Sequence, residues 1–130
     1  MAGEVILIVD DVPVNLKLVG AILKREGYTI ATAEDGEQAL EMLRTLRPDL
    51  ILSDIQMPVI DGFELTRRVK QDERLRDIPV VALTALALKA GEDKAREAGF
   101  DGYMTKPIDT RTMGLRVREY LDRRHADSYS

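Results

Sequence analysis

Three carboxylates, a hydroxyl and an ammonium stand at the ends of apolar runs in this chain. Asp10 and Asp11 follow Val5–Val9, Asp54 follows Leu50-Ile51-Leu52-Ser53, Thr84 follows residues 78–83, and Lys106 follows Gly102–Thr105. Carboxylates brought within a few Å repel one another unless a cation intervenes. Hard carboxylate oxygens completed by water suit Mg²⁺, which usually takes only one or two protein carboxylates. Three negative charges against Mg²⁺ and one ammonium sum formally to zero. A phosphoryl group added to one carboxylate would then find a metal, a lysine and a hydroxyl ready to contact its oxygens. Aspartate can act as a phosphoryl nucleophile, and Asp54, the lone carboxylate at the end of its run, is the natural one.

That chemistry requires the run ends to share one rim. Short apolar runs bounded by turn residues read as strands buried on both faces, which belong to parallel sheets covered by helices. Between them lie helical patterns. Pro13 opens the first, with Leu16, Val19, Ile22 and Leu23 at helical spacing, and Gly27 stops it. Residues 29–32 form a short strand. Asp35 and Gln38 make a capping-box start for a helix whose face is Ala39, Met42, Leu43 and Leu46. Asp61-Gly62 marks a turn before a helix over residues 63–71. Residues 86–98 read as a marginal alanine-rich helix, and Asp109 as the cap of a final helix with Met113, Val117, Tyr120 and Leu121 on one face.

Five strands alternating with five helices imply right-handed βαβ units and a doubly wound α/β fold with a five-stranded parallel sheet. The first, third and fourth runs are the most apolar and should be central; the second and fifth should be edges. The expected order is 2-1-3-4-5, flavodoxin-like, with the switch point between strands one and three, where such sheets put their ligand crevice.

Composition narrows the function. The 130 residues suit one domain, expected over residues 1–124 with a short polar tail at 125–130. A formal net charge of −4 speaks against direct nucleic-acid binding. There are no cysteines, so thiolate chemistry and a cysteine-based zinc site are excluded, and the single histidine, His125, lies in the polar tail. No apolar run approaches the roughly 20 residues that span a bilayer, and residues 1–4 are too short and polar for a signal peptide. No membrane association and a cytoplasmic location are expected.

Taken singly, each site residue has a plainer reading. Asp10 and Asp11 suit a helix N-terminus as anions, Thr84 can bond a loop amide, and Tyr103 suits an edge strand. Their combination is what matters. Asp10-Asp11, Asp54 in Ser-Asp-Ile-Gln-Met-Pro, Asp61-Gly62, Thr84-Ala85 and Lys106-Pro107 occur together. In that order and spacing, over roughly residues 4–123, the chain resembles a two-component response-regulator receiver domain.

The resemblance implies roles. Asp54 would accept phosphoryl from a phosphohistidine on a sensor histidine kinase or histidine phosphotransfer protein. Asp11 would ligate Mg²⁺ directly, Asp10 directly or through water, and the Gln56 carbonyl would be a further ligand. Lys106 would pair with Asp54 and then with its phosphate, Thr84 would swing its hydroxyl onto the phosphoryl group, and Tyr103 would rotate inward. Small Ala85 would leave the group reachable. Polar Gln56 and apolar Leu86 imply moderate to slow self-dephosphorylation. Val12, Asn15, Leu18, Pro107 and Ile108 would rim the site where the phosphohistidine partner docks, although Leu18 equally suits the core stripe of its helix. The 86–98 helix, strand five and the last helix would form the face read by an unknown downstream protein target, with Leu86, Leu88 and Tyr103 in the patch.

The expectation is a free-standing phosphoacceptor rather than a turnover enzyme; the alternative is a receiver excised from a larger hybrid kinase or output protein. A Mg²⁺-dependent aspartate-nucleophile phosphatase would show Asp-x-Asp at the nucleophile, whereas Asp54 is followed by Ile55-Gln56. A flavin-binding protein of this topology would need a hydroxyl-rich loop after strand one, where Asp-Asp-Val-Pro-Val stands.

Overall fold

Residues that are apolar on both sides of a strand need a covering layer on each face, and the chain supplies two. The computed structural model describes residues 3–84, 96–105 and 109–129. Its elements are β1 (Val5–Val9), α1 (Pro13–Arg25), β2 (Thr29–Ala33), α2 (Gly36–Met42), β3 (Leu50–Asp54), α3 (Gly62–Gln71), β4 (Val80–Thr84), β5 (Gly102–Thr105) and α4 (Met113–Tyr129). The strands form one parallel sheet in the order β2-β1-β3-β4-β5. This is the expected flavodoxin-like α/β topology, with the two mixed strands at the edges.

Alternation along each central strand divides the core. Leu7 and Val9, Ile51, and Val80 and Ala82 join Ala39, Leu43, Leu65 and Val69 beneath α2 and α3. Ile6 and Ile8, Leu50 and Leu52, and Val81 and Leu83 join Leu16, Val19, Leu23, Val117 and Leu121 beneath α1 and α4. The fully buried leucines, isoleucines and valines among them each contribute roughly 1.5–3 kcal/mol by leaving water.

Local signals act as their chemistry dictates. Pro13 begins α1, and Gly27, at φ 94°, takes the left-handed conformation after it. Asp35 accepts the Gln38 amide at 2.7 Å, and Asp61 accepts the Glu64 amide at 2.9 Å, so each caps its helix. Three details differ from the sequence reading. Leu43 is buried but follows the last residue of α2 rather than lying within it. Asp109 accepts the Arg111 amide at 2.9 Å in a turn, and α4 begins only at Met113. Its backbone then stays helical through Tyr129, into the stretch that composition reads as a polar tail. The 86–98 helix lies largely outside the described residues; residues 96–98 are helical.

Candidate phosphoryl-acceptor site

Register brings the acidic strand ends together. Val9 pairs with Ser53, which sets Asp10, one residue on, level with Asp54 across the β1–β3 seam. The chain must turn there to enter α1, and Asp10 holds that turn. Its Oδ1 accepts the Val12 amide at 2.9 Å and its Oδ2 accepts Asn15 Nδ2 at 3.2 Å. Asp10 is not the cap of α1, which is Val12 and has no side-chain cap bond; it is a buried carboxylate at the rim that accepts from two donors just before and within the first turn of the helix. Asn15, expected on the rim, directs its amide inward to Asp10.

Asp54 closes β3. Its Oδ1 lies 3.4 Å from the Gln56 amide. The chain then runs out and back in a tight loop, closed where the Gly62 amide donates to the Ile55 carbonyl at 2.8 Å. Gly62 is required there for space. A Cβ on it would stand 2.3 Å from the Asp54 carbonyl oxygen and 2.8 Å from Ile55 Cα. Within the loop, the Ile60 amide bonds back to the Pro58 carbonyl at 2.8 Å, with Val59 between them at φ 66°. That is the pattern of a γ-turn with positive φ, a strained geometry and an unusual one for a β-branched residue.

One carboxylate oxygen each from Asp10, Asp11 and Asp54 lies within 4.8 Å of the other two. Asp10 and Asp54 are buried, whereas Asp11 is exposed at the crevice mouth. An all-oxygen set open to water on one side fits a hard divalent ion that keeps several waters, which is the preference of Mg²⁺. It does not fit zinc, since no cysteine or histidine is near.

The backbone of Thr84 ends β4 one step beyond Leu83, the register partner of Asp54, and so reaches the same rim. Tyr103 is half-buried on edge strand β5 and packs against the α2–α3 side of the core; its carbonyl accepts Arg116 at 3.0 Å. Lys106, Pro107 and Ile108 lie outside the described residues, as do Ala85, Leu86 and Leu88. Val12 and Leu18 are exposed, at 41% and 43%. Leu18 is thus off the core stripe of α1, which consists of Leu16, Val19, Gly20 and Leu23.

The sequence reading passed over Ser53 as merely small. It is fully buried and donates its hydroxyl to the Asp54 carbonyl at 2.9 Å. The available signal was a polar residue inside an otherwise apolar run.

A carboxylate triad on one sheet rim is a feature that comparison with known proteins can place. The response regulator receiver domain family matches residues 6–118. This chain belongs to that family. It is 40% identical over 116 residues to the polar-differentiation response regulator DivK of Brucella anthropi, covering 89% of this chain and 94% of that one. Among solved structures it is similar to the signal receiver domain of a signal transduction histidine kinase from Syntrophus aciditrophicus. That likeness has 36% identity and a TM-score of 0.86, and covers 92% of this chain and 91% of that one. It is also similar to the receiver domain of sensor histidine kinase PA1611 from Pseudomonas aeruginosa, with 36% identity and a TM-score of 0.81, covering 93% and 96%. That structure has a magnesium ion coordinated in its active-site cleft.

A receiver is a phosphoacceptor signalling domain, and the acidic pocket here groups Asp10, Asp11 and Asp54 closely enough to hold a metal ion. Membership implies a histidine kinase as partner class. No helix among the described residues is long and apolar enough to cross a membrane.

Proposed function

We propose that Asp54 is the phosphoryl acceptor, and that Asp11, Asp10 and the Gln56 carbonyl make up the protein side of the Mg²⁺ site. The supporting observation is the approach of the three carboxylates to within 4.8 Å at the ends of β1 and β3. In the reaction an Asp54 oxygen attacks the phosphorus of a phosphohistidine. The P–N bond breaks, an acyl-phosphate O–P bond forms, and the imidazole leaves with the electron pair. Held by Asp10, Asp11, Asp54 and the Gln56 carbonyl, Mg²⁺ would supply positive charge to the phosphoryl oxygens. Asp10, held by Val12 and Asn15, keeps a fixed anionic wall. Lys106 pairs with Asp54 and afterwards with its phosphate, Thr84 brings its hydroxyl to the phosphoryl group, and Tyr103 follows inward.

Donor docking is assigned to Val12, Leu18, Pro107 and Ile108 at the rim, with Asn15 acting through Asp10. The donor is a sensor histidine kinase or a histidine phosphotransfer protein in the cytoplasm, and the phosphorylated face formed by β5 and α4 addresses a downstream protein. Gln56 can orient a water and Leu86 cannot, so self-dephosphorylation is moderate to slow; a lifetime of seconds in Mg²⁺ would contradict this. The same reading takes residues 1–124 as the domain and 125–130 as a polar extension, whose backbone continues the last helix as far as Tyr129.

Intact-mass spectrometry after incubation with acetyl phosphate and Mg²⁺ tests the assignment. A labile phosphoryl adduct is expected in wild type and lost in Asp54→Asn and in EDTA. An adduct that persists in Asp54→Asn would move the acceptor elsewhere. Likeness to the receiver domains of two histidine kinases favours a second reading, in which this chain is part of a larger hybrid kinase; the boundaries of the gene decide that.

A further inference from the structure

Among the described residues the buried polar side chains are Asp10, Ser53, Asp54 and Thr66. Two are carboxylates of the site. The two hydroxyls differ in what they hold. Thr66 Oγ1 donates to the Gly62 carbonyl at 2.8 Å, four residues back in its own helix, a common way to satisfy a helical threonine. Ser53 donates instead to the carbonyl of the acceptor residue itself, at 2.9 Å. It does so from a strand whose neighbours Leu50, Ile51 and Leu52 are apolar and fully buried. A hydroxyl in such a place costs desolvation that an alanine would not. Packing alone does not account for it.

The bonded carbonyl is a special one. The peptide plane between Asp54 and Ile55 sets the direction in which the chain leaves the sheet, and so where Gln56 comes to lie relative to the three carboxylates. That carbonyl is already confined on one side by the bare Cα of Gly62. The Ser53 hydroxyl holds the same oxygen, so the plane has little room to rotate. We propose that Ser53 is a positioning residue for phosphoryl transfer: its hydroxyl fixes the Asp54–Ile55 peptide plane and thereby the acceptor and the Gln56 carbonyl. The inference rests on the assignment of Asp54 as acceptor, and its test separates the two.

Ser53→Ala removes one buried donor with almost no change of shape and leaves its partner, the Asp54 carbonyl, in place, so a loss of stability is expected beside any effect on rate. The measurement is the rate of Asp54 phosphorylation by acetyl phosphate and Mg²⁺, resolved into maximal rate and half-saturating concentrations, alongside the urea midpoint. Thr66→Val is the matched comparison, because it removes an equally buried hydroxyl that does not touch the acceptor. The expected result is a fall in maximal rate of about threefold to tenfold in Ser53→Ala, the rate equivalent of one neutral hydrogen bond. Half-saturating acetyl phosphate should stay close to wild type, the urea midpoint should fall by a similar amount in Ser53→Ala and Thr66→Val, and Thr66→Val should keep its rate. Ser53→Cys, nearly isosteric with a weaker donor, should fall between; it also serves if the alanine variant folds poorly.

A Ser53→Ala rate equal to wild type would overturn the proposal. So would an equal loss of rate in Thr66→Val, which would mean that any softening of the β3–α3 junction slows transfer. Failure of wild type to label, or labelling of Asp54→Asn, would instead overturn the acceptor assignment.

Discussion

The Cα of Gly62 lies against the carbonyl of Asp54 so closely that a Cβ there would stand 2.3 Å from the oxygen. Asp54 and the first residue of α3 are thus fitted to one another by the absence of a side chain. The obstructing atom is backbone at the end of a buried strand and cannot swing aside. Gly62→Ala should destabilise by about 1–3 kcal/mol, the usual range for overpacking, and lower phosphorylation as Asp54 is displaced. Gly20 in α1 is the contrast. Its virtual Cβ meets only Ile30 Cγ2, at an ordinary 3.7 Å, so Gly20→Ala should gain up to about 1 kcal/mol of helix propensity. Urea midpoints of the two variants should move in opposite directions.

Val59 has the opposite problem. It is 84% exposed, so no packing offsets its φ of 66°. Strain of this kind is worth roughly 1–3 kcal/mol, against about 0.4–1 kcal/mol for the greater unfolded-state freedom of glycine. Val59→Gly should therefore raise the urea midpoint with the m-value unchanged. An unchanged or lowered midpoint would show that the turn is not strained.

The far end of the sheet carries an ion pair tying the last helix to the first strand. Arg118 lies 2.8 Å from Glu4 and 3.1 Å from Asp122. Burial pushes the Glu4 carboxyl up, but the Arg118 hydrogen bond, a backbone amide and the Arg118 charge outweigh it, so the group ends below its ordinary value. A carboxyl with a lowered folded-state pKa contributes stability fully above its unfolded value, about 4.3 for glutamate. That contribution fades as pH falls through the lower folded value. The stability difference between wild type and Arg118→Met should be larger at pH 7 than at pH 3. A pH-independent difference would assign Arg118 a packing role only.

Lys70 holds the end of α3 to the start of β4. Its ammonium donates to the Ile78 carbonyl at 2.9 Å, to the Arg76 carbonyl at 3.2 Å and to Asp101 at 2.8 Å; Asp101 also accepts the Val80 amide at 2.8 Å. Lys70→Met and Asp101→Asn should each destabilise by about 1–2 kcal/mol, near the range for hydrogen bonds to charged groups. Because they share one network, the double variant should lose less than the sum. Additive losses in a double-mutant cycle would show that the two act separately.

Mg²⁺ should stabilise the fold through the carboxylate triad. At free Mg²⁺ a hundredfold above the dissociation constant the gain is about 2.7 kcal/mol, visible as a higher melting temperature. Asp11→Asn should melt near the metal-free wild type and respond little to the ion. Equal responses in both would place the binding elsewhere.

The sheet order was legible because burial on two faces demands mostly apolar runs, and Val5–Val9, Leu50–Leu52 and Val80–Leu83 supply them, whereas β2 and β5 do not. The acidic triad was legible for a related reason: a strand that ends in Asp must release it at the rim, and parallel topology makes that rim common. Sequence alone thus determined the family, the sheet and the meeting of Asp10, Asp11 and Asp54. Helix patterns likewise allowed Leu18 on either face, and only the packed α1 turned it outward. Three-dimensional structure decided which atoms meet: locally, the inward turn of Asn15 to Asp10 and the hydroxyl of Ser53 on the Asp54 carbonyl, and between segments, the empty space at Gly62 and the reach of Arg118 to Glu4. Residue types announce that such groups can bond or must be small. Which atom each one meets follows only when side chains from separate segments fill the same volume.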